Sequence, residues 1–336
     1  MLLAGDIGGT KTNLALFKDK EDLHSPMHEA KFPSADYATL AALVHDFLSQ
    51  RDLTGIPIER AVFGVAGPVV AGKAKATNLP WNIEESQLEQ ALNIPAVTLL
   101  NDLAAMATAI PLLTRADLFT LNEGKPARHG TLAVVAPGTG LGEATLTWDG
   151  EHYRVHPSEG GHADFAPTNS FEIGLLVYML ERMPHVSYEQ VCSGIGLPNI
   201  YAYLKDSALF HEPVWLAEEL AKVKDQTPII VNAAKGELPG QALSEPVDIC
   251  QSVLRTFVSI LGAESGNMAL KALATGGVYL SGGIPPRILP FLQEGEFLQS
   301  FKNKGRFADM LAGFPVHVIL NPNVGLMGAA AYGFDR

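Results

Sequence analysis

Asp102 is a carboxylate at the end of an apolar run, Val97-Thr98-Leu99-Leu100, with the amide of Asn101 beside it. An amide donates and accepts toward hydroxyls, and a carboxylate can take a hydroxyl proton, so the pair suits a sugar. The same two residues also suit the start of a helix, with Asp102 as its N-cap. Glu159-Gly160-Gly161-His162 offers two further hydrogen-bonding side chains, and the glycines between them let the backbone turn both toward one ligand. A solvated turn is the plain alternative. A metal site is a third reading, but no remaining ligands are evident.

Two glycine loops add phosphate chemistry. Gly5-Asp6-Ile7-Gly8-Gly9-Thr10-Lys11-Thr12 and Pro137-Gly138-Thr139-Gly140-Leu141-Gly142 each follow an apolar run and lead into another strand-like run. A strand, a Gly/Thr turn and a return strand make a hairpin whose tip presents backbone N–H groups. Glycines let that tip approach a phosphate and adopt positive φ. In the functional reading of the first loop, Gly8, Gly9 and Thr10 would supply donors, Lys11 would add positive charge, and Asp6 would hold Mg²⁺ through water. The plain alternative is a tight hairpin turn capped by Asp and Thr. Two such loops suggest a duplicated nucleotide-binding fold that grips a polyphosphate from both sides. Leu280-Ser281-Gly282-Gly283-Ile284 puts glycines where a nucleoside can lie on the backbone, or forms an ordinary strand-to-helix turn.

The elements that must position these groups alternate. Hairpin strands are expected over 2–8 and 13–18, and a helix over 36–50. A buried strand over 61–66 precedes a helix over 84–92 and a strand over 97–100, and a helix over 103–110 stops before Pro111. The hairpin theme returns over 131–156. A long amphipathic helix over 246–274 carries Gly262 and Gly266 for close packing. Strands over 278–281 and 316–320 precede a Gly/Ala-rich helix over 324–332. Phe63 and Trp81 belong to the core. Alternating strands and helices imply an α/β fold, and ligands in such sheets sit beyond the strand C-termini. Asp6, Asn101, Asp102, Gly138, Thr139, Gly140, Gly282 and Gly283 all fall at such ends.

The chain has 336 residues, 47% hydrophobic and 18% charged, enough for two domains with cores of their own. A net charge of −12 without a Lys/Arg-rich run argues against nucleic acid and anionic membrane as partners. Cys192 and Cys250 give neither a disulfide framework nor a zinc spacing, and read as buried reduced thiols of a cytosolic protein. No basic n-region precedes the apolar start, which Asp6 interrupts, so no signal peptide is expected.

Taken in order, these motifs resemble the bacterial-type glucokinase family, of the actin-like, hexokinase-like ATPase fold. The resemblance rests on Gly-Asp-Ile-Gly-Gly-Thr at 5–10, Leu-Asn-Asp at 100–102 and Gly-Thr-Gly-Leu-Gly at 138–142. Pro-Ser-Glu-Gly-Gly-His-Ala-Asp-Phe-Ala-Pro at 157–167, Ser187-Tyr188-Glu189 before Ser193-Gly194, and Ser-Gly-Gly-Ile at 281–284 reinforce it. It covers nearly the whole chain. It implies a two-domain α/β fold, ribonuclease H-like, with the active site in the interdomain cleft. The domains are expected over 1–112 plus 321–336 and over 113–320.

The activity implied is that of a glucokinase, ATP:D-glucose 6-phosphotransfer at the head of glycolysis. Asp102 would be the catalytic base. Asn101, Glu159, His162 and Glu189 would bind the hexose. Gly5 to Lys11, Gly138 to Gly140, Gly282 and Gly283 would hold ATP, with Mg²⁺ near Asp6. A cytoplasmic homodimer is implied as well. The pattern departs at Lys11, where some relatives carry a neutral residue such as Asn. The related repressor/sugar-kinase group carries a Cys-rich zinc motif just after its Glu-x-Gly-His segment. Here no cysteine follows His162 until Cys192, and the DNA-binding stretch of that group's regulators is not seen, which places the chain outside it. The domains of such a kinase should close on the sugar, with hinges at Pro111 and Leu320-Asn321-Pro322. A kinase for mannose or fructose, a non-catalytic sugar sensor and an actin-like or chaperone-like ATPase are the competing readings.

Overall fold

Leu2-Leu3-Ala4 and the run after Thr12 pair as an antiparallel hairpin, β1 (Leu2–Ile7) and β2 (Lys11–Phe17), with Leu2 opposite Phe17 and Ile7 opposite Thr12. The computed structural model describes residues 1–50, 53, 55–76, 79–238, 241–242 and 245–335. The chain forms two units. The first takes in Met1–Asp117, Asp149–Pro157 and Asn321–Arg336, and the second Leu118–Trp148 and Ser158–Leu320.

In the first unit the hairpin is followed by β3 (His28–Pro33), α1 (Leu40–Leu48), β4 (Arg60–Val65), β5 (Val69–Val70), β6 (Lys73–Lys75), β7 (Asn82–Glu84), α2 (Glu85–Leu92), β8 (Val97–Asn101) and α3 (Asp102–Ala109). The main sheet runs β3-β2-β1-β4-β8, with β1, β4 and β8 parallel. Helix α1 starts later than its apolar spacing suggests. Ser34–Asp36 forms a separate 3-10 turn, and the Thr39 hydroxyl caps α1 by accepting from the Ala42 N–H. Glu84 closes β7 instead of opening α2. Phe63 and Trp81 lie in the core, as expected.

The second unit opens with β9 (Leu118–Asn122), β10 (Leu132–Pro137) and β11 (Leu141–Trp148). A further strand, β12 (Tyr153–Ser158), lies largely in the Asp149–Pro157 segment of the first unit. Then follow α4 (Ser170–Leu180), α5 (Gly196–Asp206), α6 (Val214–Ala221), α7 (Thr227–Ala234), β13 (Glu237–Leu238), β14 (Gln241–Ala242) and α8 (Asp248–Ala272). The unit ends with β15 (Gly277–Leu280), α9 (Leu289–Gln293), α10 (Glu296–Lys302), α11 (Ala308–Ala312) and β16 (Val316–Ile319). Its strands β11, β10, β15, β16 and β9 lie side by side in that order. The β10–β11 pair is an antiparallel hairpin, and β10, β15 and β16 are parallel. Each unit therefore has the same kernel, a hairpin continued by two parallel strands. Every residue of β10 is buried, as a strand covered on both faces requires.

Helix α12 (Val324–Phe334) returns to the first unit. Its glycines are needed for space: a Cβ at Gly328 would lie 1.7 Å from the Ala105 carbonyl oxygen of α3, and one at Gly333 2.2 Å from Leu2 of β1. Gly262 and Gly266 of α8 bring α10 close in the same way, facing the carbonyls of Phe297 and Phe301. Among the described residues no helix is long and apolar enough to cross a membrane.

Candidate active site

In the first unit the parallel strands end level. Asp6 of β1 stands opposite Gly64 of β4, and Val65 opposite Asn101 of β8. The loops beyond these ends are where α/β sheets bind ligands. Asn101, not Asp102, caps α3: its Oδ1 accepts from the N–H groups of Leu103 at 3.0 Å and Ala104 at 3.2 Å. Its amide nitrogen donates to the Gly67 carbonyl at 3.1 Å and to Asp102 Oδ1 at 3.0 Å. Asn101 thus holds the neighbouring carboxylate in place with groups that are all engaged.

Asp102 is the first residue of α3 and also accepts from the Leu103 N–H at 2.9 Å. Burial raises its proton affinity above that of an ordinary aspartate and outweighs these hydrogen bonds, which act the other way. Asp6 is pushed up to about 6, by burial first and then by the charge of Asp102. The two carboxylates are therefore close enough to feel each other. Gly325, at the start of α12, faces Asp6; a Cβ there would come within 3.2 Å of its carboxylate.

The first glycine loop is braced from behind. Gly8 N–H donates to the Lys11 carbonyl at 3.0 Å. Buried Ser34 donates to the Gly8 carbonyl at 2.8 Å, meets the Thr12 hydroxyl at 2.9 Å, and gives its own N–H to the Thr10 carbonyl. Sequence reasoning missed Ser34, which lies far from the loop along the chain. It missed Gly325 too, since the Gly/Ala richness of α12 reads only as close packing.

The second unit gathers the rest. Gly138 N–H donates to the Gly140 carbonyl at 2.8 Å, and the Gly138 carbonyl accepts from Gly194 N–H at 2.8 Å. Glu189 Oε2 accepts from the Leu141 N–H at 2.9 Å, and Glu189 N–H donates to the Gly161 carbonyl at 2.8 Å. Glu189 is thereby tied both to the second glycine loop and to the segment of Glu159 and His162. Those two side chains are solvent-facing, with His162 Nε2 3.9 Å from Glu159 Oε2. Ile284 N–H donates to the Pro137 carbonyl, which sets Gly282 and Gly283 beside the second loop.

One expectation needs correction. Gly5, Gly8, Gly9, Gly138 and Gly140 do not have positive φ; among the candidate glycines only Gly282 does, at +81°. Gly5, Gly8 and Gly140 answer to space, crowded by Phe63, by the Lys11 carbonyl and by Glu189, whereas a Cβ on Gly138 would meet nothing within 4 Å. A Cβ on Gly140 would lie 2.4 Å from Glu189 Oε2, so a glycine there lets the carboxylate reach the Leu141 N–H. No group of three or more His, Cys, Asp or Glu residues able to hold a metal is found among the described residues.

The family model for Glucokinase matches residues 3–335. The chain belongs to the glucokinase family. A glucokinase of Trichormus variabilis is 42% identical over 339 residues, covering 98% of each chain. The solved glucokinase of an Antarctic psychrotroph superposes with a TM-score of 0.81 at 30% identity, over 100% of this chain and 99% of that one. A ROK family glucokinase from Streptomyces griseus, solved with glucose and AMPPNP, has a TM-score of 0.64 over 100% and 99% of the two chains. At 19% identity it speaks for the fold alone. Family membership makes the protein an ATP-dependent sugar kinase of the two-domain, actin-like α/β class.

Proposed function

We propose that the protein transfers the γ-phosphoryl group of ATP to the 6-hydroxyl of D-glucose, giving glucose 6-phosphate and ADP, with Asp102 as the base. The observation that carries this is Asp102 itself, a half-buried carboxylate of raised proton affinity held by Asn101 and the Leu103 N–H at the end of β8. A base must be ionised at working pH yet able to accept a proton, and burial moves an aspartate in that direction.

Phosphoryl transfer needs positioning and charge stabilisation more than covalent chemistry. The N–H groups of Gly9 and Thr10 in the first loop and those of Thr139 and Gly140 in the second suit a polyphosphate, with Lys11 adding charge. Gly282 and Gly283 suit the nucleoside. Glu159, His162 and Glu189 hold the hexose hydroxyls and orient the primary hydroxyl. Asn101 reaches the sugar only by releasing one of its present bonds, so its main part is to orient Asp102.

Mg²⁺ fits at Asp6. No hydrogen bond lowers that carboxylate, and burial beside a second carboxylate raises it, so a cation would relieve both effects. When bound, Mg²⁺ neutralises charge on the phosphates. The family resemblance supports a cytoplasmic homodimer, and the net charge of −12 supports partners other than nucleic acid.

The test is purified protein with Mg²⁺, ATP and glucose, following glucose 6-phosphate with a coupled dehydrogenase. Turnover that survives in Asp102→Asn within threefold removes Asp102 as the base. Faster turnover on mannose or fructose moves the substrate while keeping the chemistry.

A further inference from the structure

A second carboxyl pair lies in the second unit, outside every group assigned above. Glu143 of β11 is 1% exposed and Glu264 of α8 is fully buried. Neither oxygen of Glu143 has a hydrogen-bond partner, and neither does Glu264 Oε1. Glu264 Oε2 accepts from Asn267 Nδ2 at 2.8 Å. The two carboxyls are neighbours, and the charge of Glu264 raises Glu143. Two buried, unpartnered carboxylates repel and cannot hydrogen-bond to one another, because neither has a hydrogen to donate; one carboxylate and one carboxylic acid can.

The pair lies beneath the segment of Glu159 and His162. A Cβ on Gly160 would fall 2.0 Å from Glu143 Oε2, and one on Gly161 2.1 Å from the Leu141 carbonyl oxygen. The Glu143 carbonyl accepts from Ser158 Oγ at 3.2 Å, and Ser158 Oγ in turn accepts from Gly160 N–H at 3.2 Å. Beyond Glu264, Asn267 also donates to the Tyr188 hydroxyl at 2.9 Å, next to Glu189. One buried network therefore reaches the loop of Glu159 and His162 and the side chain of Tyr188, the residue before Glu189.

We propose that Glu143 and Glu264 share a single proton in the working protein, and that this proton seats the 158–162 loop and so sets sugar affinity. Both are positioning residues. The sugar part of the proposal rests on the assignment of Glu159 and His162 to the hexose.

The surroundings favour the proton. Glu143 is pushed up to about 8, by burial first and then by Glu264, while Lys271 acts the other way. The Lys271 ammonium is 3.8 Å from Glu264 Oε1, with a largely exposed side chain. Lys304 donates to Asn267 Oδ1 at 2.7 Å, and burial lowers its own proton affinity. Tyr188 and Cys192 are both raised, by burial first; Glu264 adds to each, and Glu143 adds to Cys192. Glu159 and His162, on the loop itself, face solvent.

The sign for stability follows. The unfolded chain loses this proton near the ordinary glutamate value of 4.5, the folded protein near 8. Between those values the native state holds more protons, so stability falls as pH rises and levels off above about pH 8.

The experiment compares wild type with Glu143→Gln, Glu264→Gln and Glu143→Ala. Infrared difference spectra of wild type should show a carboxylic-acid band that Glu143→Gln removes. The melting temperature of wild type should fall from pH 5 to pH 8, and Glu143→Gln should flatten that fall. Glucose KM in wild type should rise about tenfold from pH 7 to pH 9 with kcat within about twofold, as loss of one proton near pH 8 requires. In Glu143→Gln the KM should stay flat. Glu143→Ala should have raised KM already at pH 7, rescued by Gln at the same position. An alkaline rise in KM that persists in Glu143→Gln overturns the proposal, as does a melting slope unchanged by the substitution. Dependence of the melting temperature on K⁺ that Glu143→Gln abolishes would put a cation in place of the proton and overturn it too. If wild type turns over no hexose, the sugar assignment fails, while the band and the melting slope still judge the shared proton.

Discussion

Each unit contains a carboxylate raised by a neighbouring one, Asp6 by Asp102 and Glu143 by Glu264, and the two pairs differ in what can relieve them. Asp6 and Asp102 stand at strand ends, and Asp102 accepts from Asn101 and from a helix N–H. Glu143 and Glu264 are sealed beneath a loop, with three of their four oxygens accepting no hydrogen bond. The same unfavourable ingredient serves two ends. At the mouth of a sheet it suits the proposed base and cation site, where ligand and metal would reach it. Behind a loop it can bind little but a proton, and becomes a clamp.

The largest expected effect tests this contrast directly. Asp102→Asn should lower kcat by about 10²–10⁴-fold, the usual worth of general-base catalysis, without lowering the melting temperature. Glu143→Gln should leave kcat at pH 7 within about threefold and change instead the pH slope of the melting temperature. Equal losses in the two variants would break the contrast. Next comes Gly160→Ala, which places a Cβ against Glu143 Oε2. A displacement of about 1 Å in a substrate-holding loop can cost up to about 10²-fold, so glucose KM should rise ten- to a hundredfold while ATP KM holds. If ATP KM moves with it, the loop is not specific to the sugar.

A smaller effect is expected of Asn101→Ala. It removes the α3 cap, worth about 0.5–2 kcal/mol in chemical denaturation, and frees Asp102, so kcat should fall with stability. Unchanged kcat would deny Asn101 its orienting part. The smallest is Ser34→Ala, which removes hydrogen bonds behind the first glycine loop. It should cost about 1 kcal/mol and raise ATP KM alone.

Much of this was legible because the signals are local. Both glycine loops, Asp102 at the end of β8 and the small faces of α8 follow from short patterns of residues. The pattern also showed why Gly262 and Gly266 are small, and α10 lies against both. Other features depend on partners distant in the chain. Glu143 reads as one polar residue in a return strand, and nothing nearby announces Glu264. Ser34 looks like an ordinary turn serine until β2 and β3 fold beside the loop. The cap shows a different limit: Asn101 and Asp102 are equally good caps by type, and only the backbone decides which residue ends β8. Glycine at the loops was foreseen, but not the room that Gly140 leaves for Glu189, because a carboxylate distant in the chain is invisible until the chain is folded.

Helix α12 carries one further consequence, for synthesis on the ribosome. It packs against β1 and α3, with Arg60 donating to the Gly333 carbonyl and Lys20 paired with Asp335. The first unit is thus begun early in translation and finished only when residues 324–334 emerge, after the second unit's segments have been made. At the usual 5–20 residues per second that is a wait of roughly 10–40 s. During it, the faces of β1 and α3 that await α12 are open to chaperones.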